Sequence, residues 1–359
     1  MPGKSESGKK PDKTGLGDPL YQPEGGKTEV DIVFVHGLGG DRIDTWTWRD
    51  KDLDDTTFWP GDRELLPTDC PTARILSFGY NADIAKFYPE SSKTISPTLT
   101  IDDYSTALLE SLRQLRGDED LNRPIIFVAH SMGGLVVANA LCRDQKKTIA
   151  DHTIGTLFLG TPFLGSSKAK YAVIATAILD YIIPTQRLNV KDLEVRSKKL
   201  TEICETFAKF LKARDRSRDQ PHLEVACFFE ERPMSKRTGF VVPRESATWL
   251  GVDALSIPAN HVKMAKFEDN HGSDYKMVVG KLKEWVNDIE KNKGGGGGVG
   301  GLNAQSITIT QGETKYDNSP NFGVQVGNVV GTTKDANRII GGSVGTVNYG
   351  GPQPPPEKR

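Results

Sequence analysis

Apolar and polar positions follow two periods along most of this chain. Short apolar runs rich in β-branched residues read as buried strands at 30–35, 74–78, 125–128, 156–159, 223–229 and 254–257. Between them, apolar residues recur at helical spacing. Ile101, Tyr104, Leu108, Leu112 and Leu115 form one such stripe, with Thr100 placed to cap it. The region 170–215 reads as helical. Tyr275, Val278, Val279, Leu282, Trp285, Val286 and Ile289 outline a final amphipathic helix. Strands that are apolar throughout, interleaved with helices, predict an α/β fold with a mostly parallel, doubly wound sheet flanked by helices on both faces.

The pattern has ends. Residues 1–27 are rich in Lys, Gly, Ser and Pro and read as a flexible leader. The periodic part spans 28–292. Residues 293–301 are a Gly-rich linker, and 302–359 form a tail without Cys or Trp. In the tail, Gly327, Val330, Gly331 and Thr332 repeat as Gly341, Val344, Gly345 and Thr346, an offset of 14 residues. Short β-prone segments with Asn and Gly and almost no charge suit cross-β stacking, so self-assembly through residues 302–350 is the expectation for this Gly-rich, disordered or amyloid-forming tail.

Composition narrows the classes. With 36% apolar and 26% charged residues, the 359-residue chain can bury a sizeable core. A net charge of −1 argues against a general polyanion binder, so no nucleic-acid partner is expected. Cys70, Cys142, Cys204 and Cys227 are scattered, with no metal-type spacing. They read as reduced thiols inside a cell. The polar stretch from Met1 to Asp12 shows no secretory signal, and no apolar run reaches the ~18 residues of a membrane span. The longest, from Tyr171 to Pro184, is broken by Asp180. The expected location is therefore the cytoplasm.

The chemistry concentrates at Pro124-Ile-Ile-Phe-Val-Ala-His-Ser-Met-Gly-Gly-Leu-Val-Val. A strand pattern runs into a serine, two glycines follow, and a helix pattern begins at once. This is the layout of a nucleophile elbow around Ser131, with Ala129 where glycine is usual. A serine hydroxyl needs a base, usually His held by a carboxylate, and both must follow the serine in a chain of this order. His261, just past the strand 254–257, is the preferred base. His271 is its rival in a turn-like setting, and His152 and His222 read as surface or loop residues. For the acid, Glu230 stands at the end of strand 223–229, with Glu231, Glu245 and Asp253 as alternatives. The glycine loop Val35-His-Gly-Leu-Gly-Gly offers the N–H of Leu38 to a developing oxyanion, and the elbow offers that of Met132. A phosphate-loop reading fails because no GK[ST] follows. Gly160-Thr-Pro-Phe-Leu-Gly-Ser leads into the apolar stretch 171–183, which suits acyl chains or, equally, a helix covering the sheet. No metal or organic cofactor is called for.

The glycine loop, the elbow, Gly160-Thr-Pro-Phe-Leu-Gly-Ser, Phe228-Phe-Glu-Glu and Ala259-Asn-His-Val-Lys-Met-Ala-Lys-Phe together resemble the α/β-hydrolase domain of the serine-active-site-containing (SERAC-like) lipases over about residues 28–292. The nearest likeness is the fungal SesB-like form, often fused to NACHT or NB-ARC receptor modules. The resemblance implies Ser131, Glu230 and His261 as a triad, esterase or lipase activity, and a role as an effector in fungal heterokaryon incompatibility and immune-type cell death. No nucleotide-binding module follows here. Instead Phe322-Gly-Val-Gln-Val-Gly-Asn-Val-Val is similar to HET-s-type and RHIM-like prion-forming segments. That likeness implies an NLR-type receptor with a matching amyloid motif as partner. The substrate implied is a lipid or acyl ester, with peripheral membrane contact at mitochondrion or endoplasmic reticulum. The rival expectation is a silent scaffold that works only by tail-driven assembly.

Overall fold

The computed structural model describes residues 14–294, except 26–27, 51, 54, 83–99, 118–119, 164–189, 237 and 250. The chain divides into Met1–Gly295 and Gly296–Arg359, and everything described belongs to the first unit. The tail with its repeat, the apolar stretch 171–183 and most of the leader therefore lie outside the described residues.

Six strands make one parallel sheet: β1 (Val30–Val35), β4 (Ala73–Phe78), β5 (Ile125–His130), β6 (Thr153–Leu159), β7 (Glu224–Glu230) and β8 (Ala254–Ile257), in the order β4-β1-β5-β6-β7-β8. A short antiparallel pair, β2 (Thr47–Arg49) with β3 (Thr56–Phe58), stands apart from it. β1, β4 and β5 are buried on both faces, which is why they read as continuous apolar runs. Alternate residues feed two cores. Val33, Val35, Phe127 and Ala129 pack with α2 (Ile101–Arg116), α3 (Met132–Arg143) and α4 (Val190–Arg216). Ile32, Phe34, Ile126 and Val128 pack on the other face with α1 (Leu66–Asp69) and α5 (Ser273–Gly294).

The local signals act as expected. Thr100 begins α2 with a capping box: its hydroxyl accepts from the Asp103 N–H at 3.3 Å, and the Asp103 carboxylate accepts from the Thr100 N–H at 2.7 Å. Strand bounds differ where polar residues find tertiary partners. β6 starts at Thr153, whose hydroxyl donates to the Ile149 carbonyl at 2.7 Å. β5 runs on to His130, paired with Leu159 of β6. Asp31 sits fully buried in β1, where Arg74 (2.8 and 3.0 Å), Arg116 (2.6 Å) and Arg123 (3.4 Å) surround its carboxylate. A lone buried carboxylate would be costly, and these guanidinium groups compensate it. This cluster lies where the strands begin; the serine and its partners lie where the strands end.

Candidate active site

Ser131 stands between β5 and α3 with φ 53° and ψ −128°. A side-chain-bearing residue in that region stores about 1–3 kcal/mol of strain, which neighbours must hold in place. They do so at both ends. The Ser131 N–H donates to Leu159 O at 2.8 Å, and its carbonyl accepts from the Gly134 N–H at 3.1 Å. The glycines then let the layers close. A Cβ on Gly133 would lie 2.4 Å from the carbonyl oxygens of both Val35 and His36, so the first turn of α3 rests against the end of β1. A Cβ on Gly37 would lie 2.7 Å from Ser131 Cβ and 3.3 Å from its Oγ, so the glycine loop lies directly against the serine.

His261 reaches this serine from the loop after β8. Its Nε2 is 2.9 Å from Ser131 Oγ, and its Nδ1 is 2.7 Å from Glu230 Oε2 at the end of β7. All three residues are buried. An ionised carboxylate only accepts, so Nδ1 carries the hydrogen and the lone pair of Nε2 faces the hydroxyl. The second oxygen of Glu230 accepts from the N–H groups of Val241 (2.5 Å) and Val242 (3.2 Å), which fixes the carboxylate from behind. The two loops are also tied together: the Glu231 N–H donates to Ile257 O at 3.0 Å and the Arg232 N–H to Ala259 O at 3.1 Å. The arrangement can take a proton from the hydroxyl and stabilise the imidazolium that results.

The glycine loop is clamped by His36. Tyr80 stacks on its ring at 4.3 Å, the Tyr80 N–H donates to Nε2 at 3.2 Å, and the Tyr80 hydroxyl donates to the His36 carbonyl at 2.8 Å. Leu38 follows in this loop, its side chain packed against the small cluster of Val241, Val242 and Ala247. Met132 is the first residue of α3. Among the described residues, no acceptor meets the N–H of Leu38 or that of Met132.

The other candidates lie elsewhere. His271 is exposed in a turn closed by Asp269. Glu231, Glu245 and Asp253 are exposed. His152 bonds to Thr148 O and Asn122, and His222 pairs with Asp215 at 3.1 Å. Three contributors escaped the sequence reading. The Val241–Val242 amides carry no side-chain signal. The His36 clamp and the bond from His130 Nε2 to the His261 carbonyl (2.8 Å) had one, a histidine beside a glycine or a serine in a motif already noticed. Among the described residues no group of three or more His, Cys, Asp or Glu is placed to hold a metal ion.

A sequence profile of the alpha/beta hydrolase family matches residues 32–262, which include Ser131, Glu230 and His261. The chain belongs to the alpha/beta hydrolase family. Within it, the chain is similar to Protein SERAC1 of Bos taurus, 31% identical over 260 residues, covering 66% of this chain and 36% of that protein. Protein SERAC1 of Homo sapiens is 30% identical over 278 residues, covering 71% of this chain and 39% of that protein. The chain thus spans less than two fifths of the length of these relatives. The chain is also similar to a solved esterase of Pyrococcus furiosus, at 12% identity and a TM-score of 0.37 over 75% of this chain and 84% of that one.

Proposed function

We propose that this alpha/beta hydrolase is a serine hydrolase that cleaves ester bonds in lipid or other acyl substrates. His261 Nε2 takes the Ser131 proton as Oγ attacks the ester carbonyl. The N–H groups of Leu38 and Met132 hold the tetrahedral oxyanion. His261 returns the proton to the leaving alcohol, and water then releases the acyl group by the same steps in reverse order. Glu230 keeps the imidazole in the tautomer this cycle needs. The observation that carries the reading is the 2.9 Å approach of His261 Nε2 to Ser131 Oγ, with Glu230 at 2.7 Å on the far side of the ring. No step calls on a metal or cofactor.

The cellular part of the proposal rests on the tail and the family likeness. The chain acts in the cytoplasm as a cell-death or incompatibility effector. A receptor with a matching motif templates assembly of residues 302–350, and the hydrolase meets its lipid substrate by peripheral contact with a membrane. The repeat at an offset of 14 residues, whose two segments 326–333 and 340–347 hold no charged residue, and the Gly- and Asn-rich composition support this reading.

Labelling with a fluorophosphonate probe and hydrolysis of short and long acyl esters test the enzyme. Wild type is labelled and turns over. Ser131→Ala loses both while keeping its melting temperature. A folded wild-type chain that resists the probe favours a silent scaffold, and normal hydrolysis by Ser131→Ala removes the proposal.

A further inference from the structure

Two neighbouring residues of the elbow reach the same loop. Ser131 Oγ meets the ring of His261 at 2.9 Å, and His130 Nε2 meets the backbone carbonyl of His261 at 2.8 Å. A carbonyl only accepts, so His130 Nε2 carries the hydrogen and donates it. Burial first, and the neighbouring His261 next, hold His130 well below the ordinary histidine range, so the ring stays neutral in this tautomer. Trp46 meets it edge-on at 6.5 Å, and the His261 ring stands 4.9 Å away. A side chain that served only to fill this space would be better apolar, because burying an imidazole costs free energy that the hydrogen bond must offset.

The geometry points to His130 as a positioning residue: it pins the backbone of residue 261 and thereby holds the imidazole within proton-transfer reach of Ser131. The inference rests on the reading of Ser131 and His261 given above. It differs from the part of Glu230, which sets the ring's tautomer and rotation through Nδ1. His130 sets where the ring is anchored. The loop is tied to the acid side through Arg232 and Ala259 at 3.1 Å, and His130 supplies the tie on the nucleophile side. Nucleophile and anchor are consecutive residues, His130 ending β5 and Ser131 following it, so one stretch of chain holds both the serine and the carbonyl next to the base.

The test compares the full chain as wild type, His130→Gln and His130→Asn. The glutamine amide reaches the place of Nε2; the asparagine amide stops short of it. Readouts are kcat and KM on a soluble ester, the rate of fluorophosphonate labelling, and the melting temperature. His130→Asn is expected to lose about 10- to 100-fold in kcat with KM little changed, because small misplacements of reacting groups cost that much. His130→Gln recovers most of the loss. An Asn variant as fast as wild type overturns the inference, and so does an equal loss in both variants. Should the Asn chain fail to fold, Gln decides alone: kcat within about tenfold of wild type supports the donor role, and a larger loss overturns it. A wild-type chain that the probe never labels overturns the reading of Ser131 itself, which separates that failure from this one.

Discussion

His36 uses both ring nitrogens to hold the loop it begins. Nδ1–H donates to Gly37 O at 2.9 Å, and Nε2 accepts from the Tyr80 N–H at 3.2 Å. A second proton on this ring would have to displace the Tyr80 N–H. Burial lowers its pKa to about 4, against weaker opposing effects of the Gly37 carbonyl and Asp41. The folded pKa lies below the unfolded value of about 6.5, so as pH falls the unfolded chain binds the proton first. The contribution is complete above about pH 6.5 and is lost as pH falls toward 4, amounting to about 3 kcal/mol for this one group. His130 is shifted in the same direction and adds to the loss. Urea unfolding at pH 7 and pH 4.5 measures it. The wild-type midpoint is expected to drop clearly, and a His36→Phe chain to drop less over the same interval; an equal drop in both would contradict the assignment. At this scale the chemistry was half visible in the sequence. Ser131 and Glu230 announce themselves by standing at strand ends, whereas nothing local tells that a histidine in a glycine loop will be buried under Tyr80, two residues past the end of β4.

The elbow is the element on which the site depends. Its second glycine, Gly134, leaves room for Thr161, and its first, Gly133, leaves none for any side chain. In Gly133→Ala the new methyl would meet two backbone oxygens at 2.4 Å, and backbone in the sheet cannot yield cheaply. The start of α3 must move off β1 and take Ser131 with it. We expect kcat to fall at least about tenfold and stability by about 1–3 kcal/mol, read by ester hydrolysis and thermal unfolding. Most elements were legible for a plain reason: strands covered on both faces have no polar side to disguise them, and α2 carries both its apolar stripe and its cap. The reading failed where polar residues enter strands. Thr153 and His130 look like loop residues until their partners, Ile149 O and His261 O, are known. The amides that brace Glu230 come from 11 and 12 residues downstream, on a loop whose return only the fold decides.

For the whole molecule, the division after residue 295 coincides with the loss of apolar periodicity. The described residues form two main cores, one on each face of the sheet. A peptide of residues 302–359 is expected to form thioflavin-positive fibrils, and preformed seeds to change hydrolysis by the full chain while leaving a chain ending at 294 unaffected. A peptide that stays monomeric at high concentration would count against templated control. The bond between His130 and the carbonyl of His261 spans 131 positions of sequence, and it joins the two halves of the unit as a shared fitting. A homologous segment 258–262 transplanted into this scaffold would inherit the imidazole without its mooring unless residue 130 travelled with it, so exchanges between relatives should succeed or fail on the pair.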